Sequence, residues 1–407
     1  MNSCSQIIRT SFVALVLSAS VLTGCKETPP PSLYSPSEGS APTPVVTSIT
    51  PTFAVAPVTV LTLTGSNFSS DPSKMLVYFN TSLGIIQSAS PTELKVLPPL
   101  LSSDSVAVRV SVQGAMDYSA PVYVGLDAAV AEFGNVAAGE DGFAIACDAT
   151  GNIYVSLTTT STSAGLGTKM ITSAGVRSDY AANPAGVTKW SGFKVGPGGI
   201  IYAVYGRGII FQIPVPTGGT PSTPTLWLSG SGLGNIVDLD FDENANIWAV
   251  GNSGSIFRIT PAKSVKKFAF TGTMRTVRVF SGSLYVGGRK DTVEGIWRLP
   301  MISSDSLGTP ELYYSLNGNE GGGVYAITFS SDGDLYVGTD GPEGLFIVHP
   351  GKTSEPVYPG LLQPQTLTMA WGKSTDLYLC RQGLTSTHRI IRINTLKTSA
   401  PYYGRGL

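Results

Sequence analysis

The sequence predicts an all-β chain in two folded parts, a small β-sandwich followed by a six-bladed β-propeller. One observation is a recurring unit: a tight turn, a strand centred on an aromatic, a short loop and a second strand. Its anchors are Tyr154, Tyr202, Trp248, Tyr285, Tyr336 and Tyr378, spaced ~45 residues apart, the length of one four-stranded blade. A second is the set of short alternating runs ahead of the repeats, separated by Gly, Pro, Asn and Ser, each of which fits a half-buried strand. The third is composition. Charged residues make up 13% of the 407, against 47 Gly and 28 Pro, a balance that suits a turn-rich β protein and is too apolar for a disordered chain.

The N-terminal segment reads as an address. Arg9 precedes the apolar run Ser11 to Leu22, which is too short to span a bilayer comfortably. Leu22-Thr23-Gly24-Cys25 follows and resembles the lipobox of bacterial lipoproteins. That resemblance implies a signal peptide over 1–24, cleavage before Cys25 and acylation of Cys25, so that the membrane is a partner through a lipid anchor. Lys26 stands where an aspartate would favour inner-membrane retention, which points to the bacterial outer membrane, with periplasmic and surface orientations both open. Residues 25–43 are rich in Pro and Ser with no apolar period and read as a flexible tether.

Over 44–125 the runs Val58 to Thr64, Met75 to Phe79, Glu93 to Val96 and Val106 to Val112 are strand candidates. Ile49-Thr50-Pro51-Thr52, Leu61-Thr62-Leu63-Thr64-Gly65-Ser66-Asn67-Phe68, Val77-Tyr78-Phe79-Asn80 and Ala89 to Pro98 together resemble an IPT/TIG domain, an immunoglobulin-like β-sandwich. Gly65 permits the turn, Asn67 can satisfy loop amides through its side chain, and Phe68 plugs the end of the sandwich. Pro57 departs from the glycine usual in the family. Such domains are spacers or binding modules, and none of these residues suggests catalysis.

Residues 126–407 hold the repeats. Inner strands are expected at Val237 to Phe241 and Val324 to Phe329, and third strands at Ile209 to Ile213, Ile256 to Ile259, Gly295 to Leu299, Leu345 to Val348 and Arg389 to Ile393. Outer strands are expected at Thr225 to Leu228, Val265 to Phe270 and Glu311 to Ser315. The pattern resembles six-bladed propellers of the NHL-repeat and gluconolactonase-like kind. A closed ring removes the exposed sheet edges, and either Val130 to Phe133 or Ala400 to Tyr403 can supply the closing strand. Cys147 and Cys380 fall in repeats that closure makes neighbours, so they form either a disulfide or two buried thiols.

The net charge of -1 offers no basic field for a phosphate backbone and argues against nucleic acid. Propeller ligands meet the channel mouth, where loops carry Glu140, Asp141, Lys189, Trp190, Asn235, Asp238, Arg275, Asn319, Glu320 and Gln365. Of these, Glu140, Asp141, Trp190, Asn235, Asp238, Arg275 and Glu320 form the candidate ligand-binding rim. A lactonase-like metal site would draw oxygens from Glu140, Asn235, Asp238 and Glu320, but Lys189 and Arg275 oppose a cation there. His349 and His388 lack the helical spacing of a zinc pair, and there is no G-x-S-x-G nucleophile turn. Gly321-Gly322-Gly323 lacks the lysine of a phosphate loop. With no catalytic set, metal or cofactor indicated, the expectation is a binding platform for a glycan or for an envelope or extracellular protein. A metal-dependent lactonase or lyase at the mouth is the alternative.

Overall fold

The computed structural model describes residues 40–230, 232–303, 305–316, 322–372, 374–382 and 388–405. Cys25, its lipobox and Glu320 lie outside them.

The sandwich has one sheet of Val45–Thr50, Leu61–Ser66, Glu93–Leu97 and Ile85–Ala89, in that spatial order, and a second of Phe53–Ala56, Val122–Ala128, Ser103–Val112, Met75–Phe79 and Ser82–Leu83. Alternation does the sorting: Met75, Val77 and Phe79 are buried while Leu76 between them is exposed. Leu61, Leu63, Val77, Phe79, Leu94 and Val96 are fully enclosed in one core, each worth ~1.5–3 kcal/mol of transfer free energy. Phe68 closes the end of that core. Gly65 makes room for it, since a Cβ there would lie 2.5 Å from the Phe68 ring and 1.9 Å from Val45 O. Asn67 sits at φ 62° and, rather than serving loop amides, donates its Nδ2 to Thr43 O at 2.9 Å.

Beyond the sandwich the described residues form six antiparallel blades around a channel. Their inner strands are Glu140–Cys147, Gly192–Val195, Ile236–Phe241, Thr273–Phe280, Val324–Phe329 and Thr366–Trp371, for blades one to six in order. The third blade shows why the repeat is cooperative. In its second strand, Ile247–Gly251, Ile247 and Ala249 pack with Val204 and Ile210 of the blade before. Trp248 and Val250 pack with Met274 and Val277 of the blade after. Both faces of one strand are thus core, and neither is buried without a neighbour.

The turn between inner and second strands explains the polar-tipped aromatics. Asp242 Oδ1 accepts the backbone N–H groups of Asn244 and Asn246, both at 2.9 Å, and Oδ2 accepts Asn246 Nδ2 at 3.0 Å and Trp248 Nε1 at 2.9 Å. Asp148 repeats this with Thr150, Asn152 and the Tyr154 hydroxyl at 2.8 Å. A buried N–H or O–H needs an acceptor, and the turn aspartate provides one.

The ring closes with the N-terminal candidate. Val130–Glu132 pairs antiparallel with His388–Asn394 as the outer strand of the sixth blade, and Arg389 grips Glu132 at 2.9 Å. The other candidate does something different. Ala400 N–H donates to Phe329 O at 2.9 Å, Tyr402 meets the Thr328 hydroxyl, and Arg405 Nη1 donates to Trp371 O at 2.8 Å. The C-terminal tail therefore crosses the ends of the inner strands and covers one opening of the channel. The sandwich joins the sixth blade on that side, where Arg392 pairs with Asp127 at 2.5 Å and Asp376 at 3.6 Å.

Candidate functional site

Among the described residues one end is covered, and the channel opens where the inner strands begin. A cavity of about 290 Å³ runs down the axis with walls from all six blades, among them Ile145, Phe193, Asp238, Thr276, Ala326 and Thr368. A wider recess of about 490 Å³ adjoins it, lined by Phe143, Lys189, Trp190, Tyr205, Arg207 and Asn235. The two share Ser191, Leu367 and Thr368, so they form one blind site with a rim and a shaft.

The candidate rim residues part ways here. Asn235 and Asp238 reach the site, as do Trp190 and Arg275. Asn235 Oδ1 accepts the Arg207 N–H at 3.1 Å and so ties the loop entering the third blade to a tight turn in the second. In that turn Gly206, Arg207 and Gly208 all have positive φ, of 42°, 50° and 71°. Asp238 Oδ2 accepts from Thr276 Oγ1 at 2.9 Å, Val277 N at 3.0 Å and Arg278 Nη1 at 3.0 Å. It is a brace between the third and fourth blades. Arg275 pairs with Glu294 at 2.6 Å, donates to Val324 O and lies 5.2 Å from the centre of the Tyr325 ring. Trp190 is fully buried against Phe193, Tyr205 and Phe211 and underlies the recess at the mouth.

Two more stand apart from the cavity walls. Glu140 is clasped by Arg177 through both carboxylate oxygens, at 2.5 and 2.7 Å. That bidentate bond holds its carboxyl below the usual range despite partial burial. Asp141 is buried in the inner strand. Glu320 falls outside the described residues. Among the described residues no three His, Cys, Asp or Glu side chains come together, and the Glu140 carboxylate stands apart from the recess and shaft that Asn235 and Asp238 line. His349 faces Asp334 at 2.9 Å and Glu355 at 3.4 Å, at the end of a third strand.

Cys147 and Cys380 are both free and buried. Cys380 Sγ lies against Gly142, near the start of the inner strand that Cys147 ends, so about 15 Å of strand separates them, well beyond disulfide reach. Burial pushes both thiols up to about 12, which keeps them inert.

Sequence reasoning missed the charged interior of the shaft. Lys194, in the inner strand of the second blade, is buried with its ammonium 4.0 Å from Asp240, below the Asp238–Arg278 brace. Burial, and then the neighbouring Arg278, lower Lys194 to about 8. Also missed were Phe143, Tyr205 and Arg207. The available signal was position: Tyr205 and Arg207 lie in a loop joining second and third strands, the loop class expected at the mouth.

Residues 44–124 match the IPT/TIG domain model. No curated protein matches the chain. Among solved structures, one described as a putative phosphatase from Bacteroides thetaiotaomicron aligns over 87% of this chain and 98% of its own, with TM-score 0.57 and 11% identity. An auxiliary nutrient binding protein from the same species aligns over 86% of this chain and 97% of its own, with TM-score 0.51 and 13% identity. At such identities the likeness speaks to fold alone. Residues 44–124 are an IPT/TIG domain, and it is followed by a β-propeller.

Proposed function

We propose that this protein is an outer-membrane-anchored binding lipoprotein whose propeller mouth captures a glycan or an envelope or extracellular protein. The blind site is the observation that carries the reading. Six blades supply its walls and the C-terminal tail closes its far end, so a ligand has one way in and one way out. The wall chemistry is that of recognition: half-buried aromatics beside Thr, Ser and Asn groups. Its one carboxylate among the described lining residues, on Asp238, is occupied in bracing two blades, which leaves the lactonase or lyase alternative without a free carboxylate there. The sandwich joins the ring on the tail-covered side, so a chain held by acyl groups on Cys25 would present the open mouth away from the anchored end.

The full-length chain in detergent is the material for the test. Screened on a glycan array and against cell-envelope fractions, it is expected to retain a ligand, and Tyr205→Ala combined with Asn235→Ala is expected to weaken retention at least ~10-fold. Labelled palmitate is expected to enter the wild type and not Cys25→Ser. Retention of nothing removes the binding reading, and equal labelling of the two chains removes the anchor.

A further inference from the structure

The recess at the mouth has a sign. Among the described residues the two connected cavities are lined by four cationic side chains, Lys189, Arg207, Arg275 and Arg278, and one carboxylate, Asp238. The chain as a whole has a net charge of -1, so this excess is local. Pairing does not remove it. Asp238 is taken by Arg278 at 3.0 Å, and Arg275 is taken by Glu294 at 2.6 Å. Lys189 and Arg207 remain, and among the described residues neither has a carboxylate partner. Lys189 Nζ rests 3.9 Å from the centre of the Phe143 ring, a contact that positions an ammonium without neutralising it. Arg207 stands in a positive-φ turn whose amide is held by Asn235, so its backbone is fixed while its guanidinium is exposed.

We infer that the mouth selects acidic oligosaccharides, with Lys189 and Arg207 receiving a carboxylate or sulfate group of the sugar. The inference rests on the reading of the mouth as a ligand site and adds the ligand's class. Guanidinium and ammonium groups are the side chains that bind such anions. The surroundings fit a polyhydroxylated body around the anion. Phe143 and Tyr205 offer half-buried ring surface, and Thr188, Ser191, Asn235 and Thr368 offer hydroxyl and amide groups at the same recess. The recess of about 490 Å³ admits a sugar unit or two, and the shaft behind it is closed. An extended acidic peptide would place most of its length outside such a site.

The test titrates the full-length chain in detergent with three probes: a neutral oligosaccharide, a uronic-acid oligosaccharide of the same length, and a sulfated one. The expected result is binding of at least one acidic probe at least ~10-fold tighter than the neutral one, weakening as salt rises from about 50 to about 300 mM. Lys189→Gln with Arg207→Gln, both exposed positions, is expected to abolish that preference. The uronic and sulfated arms report which anion is read. Equal affinity for neutral and acidic sugars overturns the inference and leaves the mouth a binding site. Preference for an acidic peptide over all three sugars overturns the ligand class alone. Binding of no probe overturns the inference, and if the array and envelope screen is also empty the platform reading falls with it. Unchanged binding by the double variant also overturns it.

Discussion

Lys194 is an ionisable group that the fold holds at a cost. Its pKa is lowered to about 8 by burial and by Arg278, while Asp240 and Asp238 offset part of that. A lysine in the unfolded chain titrates near ~10.4. Between those values the unfolded chain binds more protons than the folded one, so stability rises with pH across that window and the penalty is fully present below pH 8. Other groups move in the same window: thiols of the unfolded chain ionise near ~8.5 while buried Cys147 and Cys380 resist, which lowers stability as pH rises, and Lys352, also lowered to about 8, acts with Lys194. The expectation is therefore a difference: in denaturant titrations at pH 7.5 and about 9.5 the wild type gains on the order of 1–3 kcal/mol relative to Lys194→Met, whatever the variant's absolute stability. An equal change with pH in the two chains would mean that the ammonium is solvated in the folded state. Near pH 10 the tyrosines of the unfolded chain join the thiols in that opposing trend, since buried Tyr154, Tyr336 and Tyr378 resist ionisation.

At the scale of the element, the blade is held by its turn as much as by its strands. Four donors converge on Asp242, two of them the backbone N–H groups of Asn244 and Asn246. Asp242→Ala orphans the buried Trp248 Nε1 along with them, and a loss of about 2–4 kcal/mol is expected in equilibrium unfolding. Asp242→Asn should recover part of it, since one amide oxygen can still accept; a full recovery would show that charge contributes nothing. Strands of this kind were legible, because alternation and turn residues report them directly. Val324–Phe329, Leu345–Val348, Thr225–Leu228 and Glu311–Ser315 fall where the pattern places them. The run from Val58 does not, and the strand starts at Leu61, because the amides of Val58 and Thr59 fold back onto Val55 O. Alternation is blind to a turn made by residues that would also suit a strand. The site was less legible for a related reason. Sequence placed Trp190, Glu140 and Asn235 in mouth loops, but only register decides which way each side chain faces. Trp190 turned inward beneath the mouth recess, and Glu140 was drawn to Arg177, 37 residues along the chain.

For the whole molecule, closure and plugging are separate tasks given to the two ends of the propeller, and two short apolar runs could not reveal which took which. Val130–Glu132 completes the sixth blade, while the segment after Lys397 crosses the floor. That floor segment is what keeps Lys194 dry: the Tyr402 ring lies 5.3 Å from its ammonium, and Arg405 adds repulsion. Removing residues 398–407 would open the shaft at both ends. It should admit water to Lys194 and Asp240, and it strips partners from Phe329, Trp371 and Thr328. The melting temperature is expected to fall by about 5–10 °C. The difference that Lys194→Met makes between pH 7.5 and about 9.5 should shrink at the same time, because a hydrated lysine recovers its ordinary pKa. These two readouts separate a plug from a decoration. A truncated chain that melts lower but keeps the full Lys194-dependent difference would show that Lys194 is sealed by the blades alone. One that loses neither would show that the tail lies on the ring without closing it.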